Sequence, residues 1–89
     1  MFVADEIKRL EKNPQFVAEG LALTVAEQTA RLLIARRMNP MQLAEAMGVS
    51  RAQVSNVLNA SPNITMLTLA KLSLALGVTP DVIMSSAGL

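Results

Sequence analysis

The chain has 89 residues, a formal net charge of +1 and 52% hydrophobic residues, with Phe2 and Phe16 its only aromatic residues. That length accommodates one domain with one modest core, and a core drawn from Leu, Ala, Val, Ile and Met suits packed helices better than a sheet. The chain has no cysteine and no histidine, which excludes disulfides, thiolate metal sites and the commonest general base.

In chain order, residues 5–12 read as a short charged helix with Ile7 and Leu10 on one side. Asn13-Pro14 stops it and starts another, with Asn13 as cap and Pro14 at the first helical position. The next helix covers residues 15–23 and is weakened by Gly20. Thr24 and Glu27 have capping-box spacing, which predicts a fresh helix from 24 to about 37, with Ala30, Leu33, Ile34 and Arg37 at helical spacing. Asn39-Pro40 repeats the cap-then-proline device and predicts a helix over residues 40–47, ended by Gly48 as a left-handed terminator. Ser50 and Gln53 form a second capping box and open a helix from Arg51 to about Asn59. Ser61-Pro62-Asn63 is a loop, and Thr65 caps a helix over residues 66–76 that Gly77 terminates. Thr79-Pro80-Asp81 predicts a last short helix through Met84. No segment alternates with period two, so no sheet is expected and the fold class is all-α.

Residues 42–59 carry the functional signal. Leu43, Ala44 and Met47 give the first helix an apolar face, and Val54, Val57 and Leu58 do the same for the second. Ala44 is small where the two helices must approach. Gly48 supplies the positive φ of a tight turn, Val49 fills the space beneath it and Ser50 caps the second helix. These are the requirements of a helix-turn-helix. The outward face of the second helix is then Arg51, Ala52, Ser55, Asn56 and Asn59, with Gln53 at its edge. A plain solvated helix would carry Glu and Lys there. A base-reading helix needs bidentate donors and acceptors without carboxylates: Arg pairs with guanine, Asn or Gln with adenine. Ala52 would let the helix sit deep and touch a thymine methyl group.

Leu43-Ala44, Met47-Gly48-Val49-Ser50, Val54-Ser55 and Leu58-Asn59, followed by Thr68-Leu69-Ala70-Lys71-Leu72 and Leu76-Gly77-Val78, resemble the Cro/repressor (XRE) family of helix-turn-helix regulators over about residues 25–84. The resemblance implies five packed helices, with one or two short helices added before them. It divides the chain into an N-terminal extension (1–23), a helix-turn-helix domain (24–85) and a tail (86–89). It places helix 51–58 in the major groove of double-stranded operator DNA. Base contacts would come from Arg51, Ala52 and Asn56, with Gln53 and Ser55 near base edges or phosphate, and with Ser50 and Asn59 completing the interface. Many relatives place Gln, a phosphate contact, at the first position of the preceding helix. Here that position is Pro40, and Gln42 is the nearest substitute. The implied function is a transcriptional repressor that occupies its operator.

Arg36 and Arg37 read either as helix-end charges that complement the dipole or as phosphate contacts. Residues 1–27 hold three cations against five acids, and residues 28–89 five cations against two acids, so the basic half could face a phosphate backbone. On the helix over 66–76, Leu69, Leu72 and Leu76 share one face while Leu67 and Leu74 lie on the other. A helix apolar all round is buried on two sides, and a symmetric homodimer through Leu67, Leu74, Val82 and Ile83 is the expected use of the second. An alternative partner is a toxin protein. Arg9 to Pro14, Phe16, and then Ala26-Glu27-Gln28 resemble the leader of antitoxins of the HigA type, which repress their own operons.

No enzyme signature is present. The acidic residues lack metal-ligand spacing and the glycines are too scattered for a phosphate loop, so neither catalysis nor a cofactor is expected. Residues 1–10 are too charged for a signal peptide, and the apolar stretch 67–78 is too short to span a bilayer. A cytoplasmic protein with no membrane partner is the expectation.

Overall fold

The computed structural model describes residues 9, 11–82 and 84. Among them are four helices and no strand: α1 (Pro14–Ala35), α2 (Pro40–Met47), α3 (Arg51–Leu58) and α4 (Met66–Leu76).

Helix α1 begins where the sequence signals it. The Asn13 Oδ1 accepts from the amides of Gln15 at 2.9 Å and Phe16 at 3.2 Å, and Pro14 needs no partner for an amide proton it lacks. The expected break at Thr24 is absent. One helix of 22 residues replaces the two expected over 15–23 and 24–37, and it stops at Ala35. The reason is local and tertiary together. Gly20 costs a helix only about 1 kcal/mol relative to Ala. Thr24 uses its hydroxyl as an interior helical threonine does, donating to the Gly20 carbonyl at 3.2 Å rather than capping Glu27. Ala22, Ala26, Thr29 and Leu33 then form one unbroken buried stripe across the position of the expected break.

Asn39 caps α2 with a reciprocal pair. Its Oδ1 accepts from the Gln42 amide and its own amide donates to Gln42 Oε1, both at 2.8 Å. Ser50 caps α3 by accepting from the Gln53 amide at 3.2 Å, and Thr65 caps α4 by accepting from the Thr68 amide at 3.1 Å. The four helices enclose one core of Leu33, Leu43, Ala44, Met47, Val54, Val57, Leu72 and Leu76. Leu43 is wholly buried, and Val54 and Val57 are nearly so. Val49 packs beneath the α2–α3 turn, as its position in the sequence requires.

All four helices close in the same way. At the end of α1 the Met38 amide donates to the Leu33 carbonyl at 2.9 Å and Arg37 to Ile34 at 3.2 Å. Val49, Ser61 and Val78 make the equivalent bonds to Ala44, Asn56 and Ser73 after α2, α3 and α4. This pattern needs a left-handed residue just past each helix. Gly48 and Gly77 supply it at φ 68°, but Arg37 (φ 51°) and Ala60 (φ 60°) adopt it without being glycine.

The last of the five expected core helices is not seen, and the described residues hold four. Thr79, Pro80, Asp81, Val82 and Met84 are not helical, although Thr79-Pro80 has the form of a helix start. A five-residue helix closes barely one backbone bond, and among the described residues Val82 and Met84 are 65% and 92% exposed, which offers no burial to offset that cost. The helix expected over 5–12 lies largely outside the described residues; Arg9 and Glu11 within it are helical.

Candidate nucleic-acid interface

Helix α3 is held from behind and open in front. Val54 and Val57 are buried, while Gln53 and Leu58 are half-buried at the two margins. Arg51, Ser55, Asn59, Ala52 and Asn56 are all exposed. At about 100° per residue these five span an arc of roughly 140°. The arc carries one cation, three polar side chains and one methyl group, and no carboxylate.

Each side chain in the arc differs in what it has left to offer. The Arg51 guanidinium lies over α2, donating to the Met41 thioether at 3.3 Å. A thioether is a weak acceptor, so the guanidinium keeps its charge and most of its donors for an anion or a base edge. Asn59 donates from Nδ2 to the Ser55 hydroxyl at 3.1 Å, which ties these two residues together one turn apart. Asn56 is exposed and makes no such side-chain bond among the described residues, so its amide is left for an outside partner. Ala52 leaves the centre of the arc low.

The turn orients this face. Gly48 takes the left-handed conformation and Ser50 is extended at φ −74°, ψ 159°, so the chain reverses within three residues. Arg51 and Met41 in contact place the start of α3 beside the start of α2. Gln42 is exposed there, and its capping bond occupies Oε1 and leaves the Nε2 donors without a bond among the described residues. Arg37 and Gln42 border one open groove with Leu58, Ile34 and Pro40. The structure therefore gathers Arg51, Ala52, Ser55, Asn56 and Asn59 on one surface, while Gln42 and Arg37 line a groove at the Leu58 side of α3. Arg36 is exposed at the end of α1. Ser50 is spent on the cap, and Gln53 turns its amide nitrogen inward to the Thr68 hydroxyl at 3.2 Å.

Sequence reasoning passed over Met41, against which Arg51 rests, and Thr68, which holds Gln53. Thr68 had a signal. It lies on the α4 face with Leu72 and Leu76, at intervals of four, and a hydroxyl on a buried face demands a partner. The other face of α4 exposes Met66, Leu67, Ala70 and Leu74, with Leu67 at 65% and Leu74 at 81%. Val82 is exposed nearby in sequence, and Ile83 lies outside the described residues.

A family model for helix-turn-helix domains matches residues 30–83, more than half of the chain. The chain belongs to the helix-turn-helix family of Cro/repressor type. Neither a curated protein nor a solved structure matches it. The matched span begins inside α1 and covers α2, the turn, α3 and α4, so the family's DNA-binding regulatory domain coincides with the surface formed around α3. None of the helices among the described residues is long and apolar enough to cross a membrane.

Proposed function

We propose that this chain is a sequence-specific transcriptional repressor that inserts α3 into the major groove of its operator as a homodimer. The observation that carries the reading is the carboxylate-free polar arc on a helix fixed by buried Val54 and Val57. Arg51 reads guanine, Asn56 reads adenine through its unengaged amide, and Ala52 contacts a thymine methyl group. Ser55 and Asn59 act as a linked pair at the groove wall. Ser50, through the amides at the start of α3, and the Nε2 of Gln42 meet phosphate, with Arg36 and Arg37 adding charge beside them. The Met66, Leu67, Ala70 and Leu74 surface joins two copies so that they read two half-sites, and Val82 and Ile83 are the further interface residues the sequence offers. Repression follows by exclusion of polymerase from the occupied site, in the cytoplasm.

A second reading is favoured by a separate observation. The first half of α1 exposes Phe16, Val17, Leu21 and Leu23, beyond what the core uses. This apolar surface suits a protein partner, and with the leader-like residues before it supports an antitoxin that binds a toxin and represses its own operon through α3.

Fluorescence anisotropy on the upstream DNA of the gene and on a scrambled duplex, over a salt series, tests the first reading. Tight binding with strong preference for the former is expected. Arg51→Ala should then lower specific affinity by about 1–3 kcal/mol and relax one base position. Weak, equal and steeply salt-dependent binding to both duplexes would show that α3 reads no bases.

A further inference from the structure

A chain of side-chain bonds runs from the cap of α4 through its buried face to the edge of the α3 arc. Thr65 caps α4 by accepting from the Thr68 amide at 3.1 Å. The two hydroxyls share a hydrogen bond, also at 3.1 Å. The Thr68 hydroxyl then accepts from Gln53 Nε2 at 3.2 Å. Thr68 is 5% exposed, so the middle of the chain is held in the interior, while Thr65 is exposed. Gln53 is half-buried at the margin of the arc, beside Asn56.

This arrangement has a chemical consequence. A glutamine amide carries a donor end and an acceptor end. In many settings it can present either, because the two ends are alike in size. Here the donor end is tethered to Thr68. Either hydroxyl can donate in the Thr65–Thr68 bond; the bond from Gln53 Nε2 to the Thr68 oxygen goes with Thr68 as that donor, in which case Thr68 offers only lone pairs to Gln53 and the amide has one favourable orientation. The carbonyl Oε1 is the end left for whatever lies in front of α3.

We infer that Thr68 is a positioning residue for recognition: it turns the Gln53 carbonyl outward, so that Gln53 reads an exocyclic amino group of adenine or cytosine in the major groove. The inference rests on the proposal that α3 binds operator DNA, and it adds which chemical group Gln53 selects. An outward carbonyl is unsuited to phosphate, since an acceptor facing an anion is repelled. It is equally unsuited to the O6 and N7 of guanine and the O4 of thymine, which are acceptors. The major-groove donors are adenine N6 and cytosine N4. Gln53 thus becomes a base reader through a residue in a different helix that touches no DNA.

The test is selection of preferred duplexes from a randomised operator by the full chain, followed by anisotropy titrations on the four variants at each position. Three variants are compared with the wild type: Gln53→Ala, Thr68→Val and Thr68→Ser. The wild type is expected to show one position at which adenine or cytosine is favoured about five- to tenfold over guanine or thymine. Gln53→Ala should level that position alone. Thr68→Val, which removes the acceptor at constant shape, should relax the same position while the preferences set by Arg51 and Asn56 persist. Thr68→Ser, which keeps the hydroxyl, should restore it. Circular dichroism and thermal melting report folding, and a merely structural tie between α3 and α4 would lower the melting temperature of Thr68→Val without touching base preference. That result overturns the inference and leaves the repressor reading standing. An equal loss of affinity on every duplex would also overturn it, by making Gln53 a backbone contact. A wild-type chain without base preference at any position would overturn both.

Discussion

Helices α3 and α4 are built to one plan and differ in the half they show to solvent. Each opens on a hydroxyl cap, Ser50 or Thr65, and each buries one face in the shared core. Each closes with the same backbone bonds. Outward, α3 shows Arg51, Ala52, Ser55, Asn56 and Asn59, and α4 shows Met66, Leu67, Ala70 and Leu74. The core explains the inner halves of both and neither of the outer halves. Two exposed arcs of opposite chemistry on one small domain indicate two separate demands. The polar arc offers directional bonds and positive charge to a hydrated, anionic surface. The apolar arc gains only when another apolar surface covers it.

The most drastic way to break the comparison is to remove the core on which both arcs stand. Leu43 on α2 is 0% exposed and lies in the core with residues of both α3 and α4. Leu43→Ala is expected to lower stability by about 2–5 kcal/mol, a large share of what a domain of this size has. Chemical denaturation would show it, and loss of DNA affinity should track loss of fold. Retained DNA affinity at an unchanged denaturation midpoint would mean that α3 does not depend on this core.

A milder change sharpens the comparison by acting on one arc alone. In the double variant Leu67→Gln, Leu74→Gln the inner face of α4 is untouched, so the melting temperature of the monomer should hold. Burial of one leucine is worth about 1.5–3 kcal/mol, and self-association should weaken at least about a hundredfold, measured by sedimentation over a concentration series. A wild-type chain that sediments as a monomer at all concentrations would assign the apolar arc to something other than a second copy.

Legibility in the sequence divides along a physical line. Caps and terminators that act within four residues are legible. Asn13, Asn39, Ser50 and Thr65 start the helices expected of them, and Gly48 and Gly77 end two. The inner faces are legible because hydrophobic spacing reports burial. The seam expected between α1's two halves fails because a capping-box pattern is only a local offer. Thr24 and Glu27 have a competing use, in which the helix continues and Ala22, Ala26 and Leu33 share one buried stripe. The Thr79-Pro80 start fails for the converse reason: a good local start is followed by Val82 and Met84, both exposed. The outward arc of α3 is visible as residue types, but not the bonds that rank them. That Asn56 is unengaged, that Ser55 and Asn59 hold each other, and that Gln53 is turned toward Thr68 all depend on which helices pack together.

The two helix ends also differ, and here the effect is smallest and most cleanly isolated. Helix α4 closes on Gly77, whereas α3 closes on Ala60 in nearly the same left-handed conformation. An alanine there suffers a steric clash between its Cβ and the backbone that glycine avoids. Glycine has a more flexible unfolded chain, which offsets part of the gain. Ala60→Gly should therefore stabilise the fold by about 0.5–1 kcal/mol, raising the melting temperature by about 2–8 °C. Gly48→Ala supplies the mirror experiment. A Cβ added at Gly48 would meet no atom within 4 Å, so only the backbone term remains, and a loss of about 1 kcal/mol is expected. If Ala60→Gly instead destabilises, the half-buried Ala60 methyl contributes more through contact than its backbone costs, and the end of α3 is held by packing rather than by its turn. Base preference should be indifferent to either change, because neither alters a side chain of the polar arc.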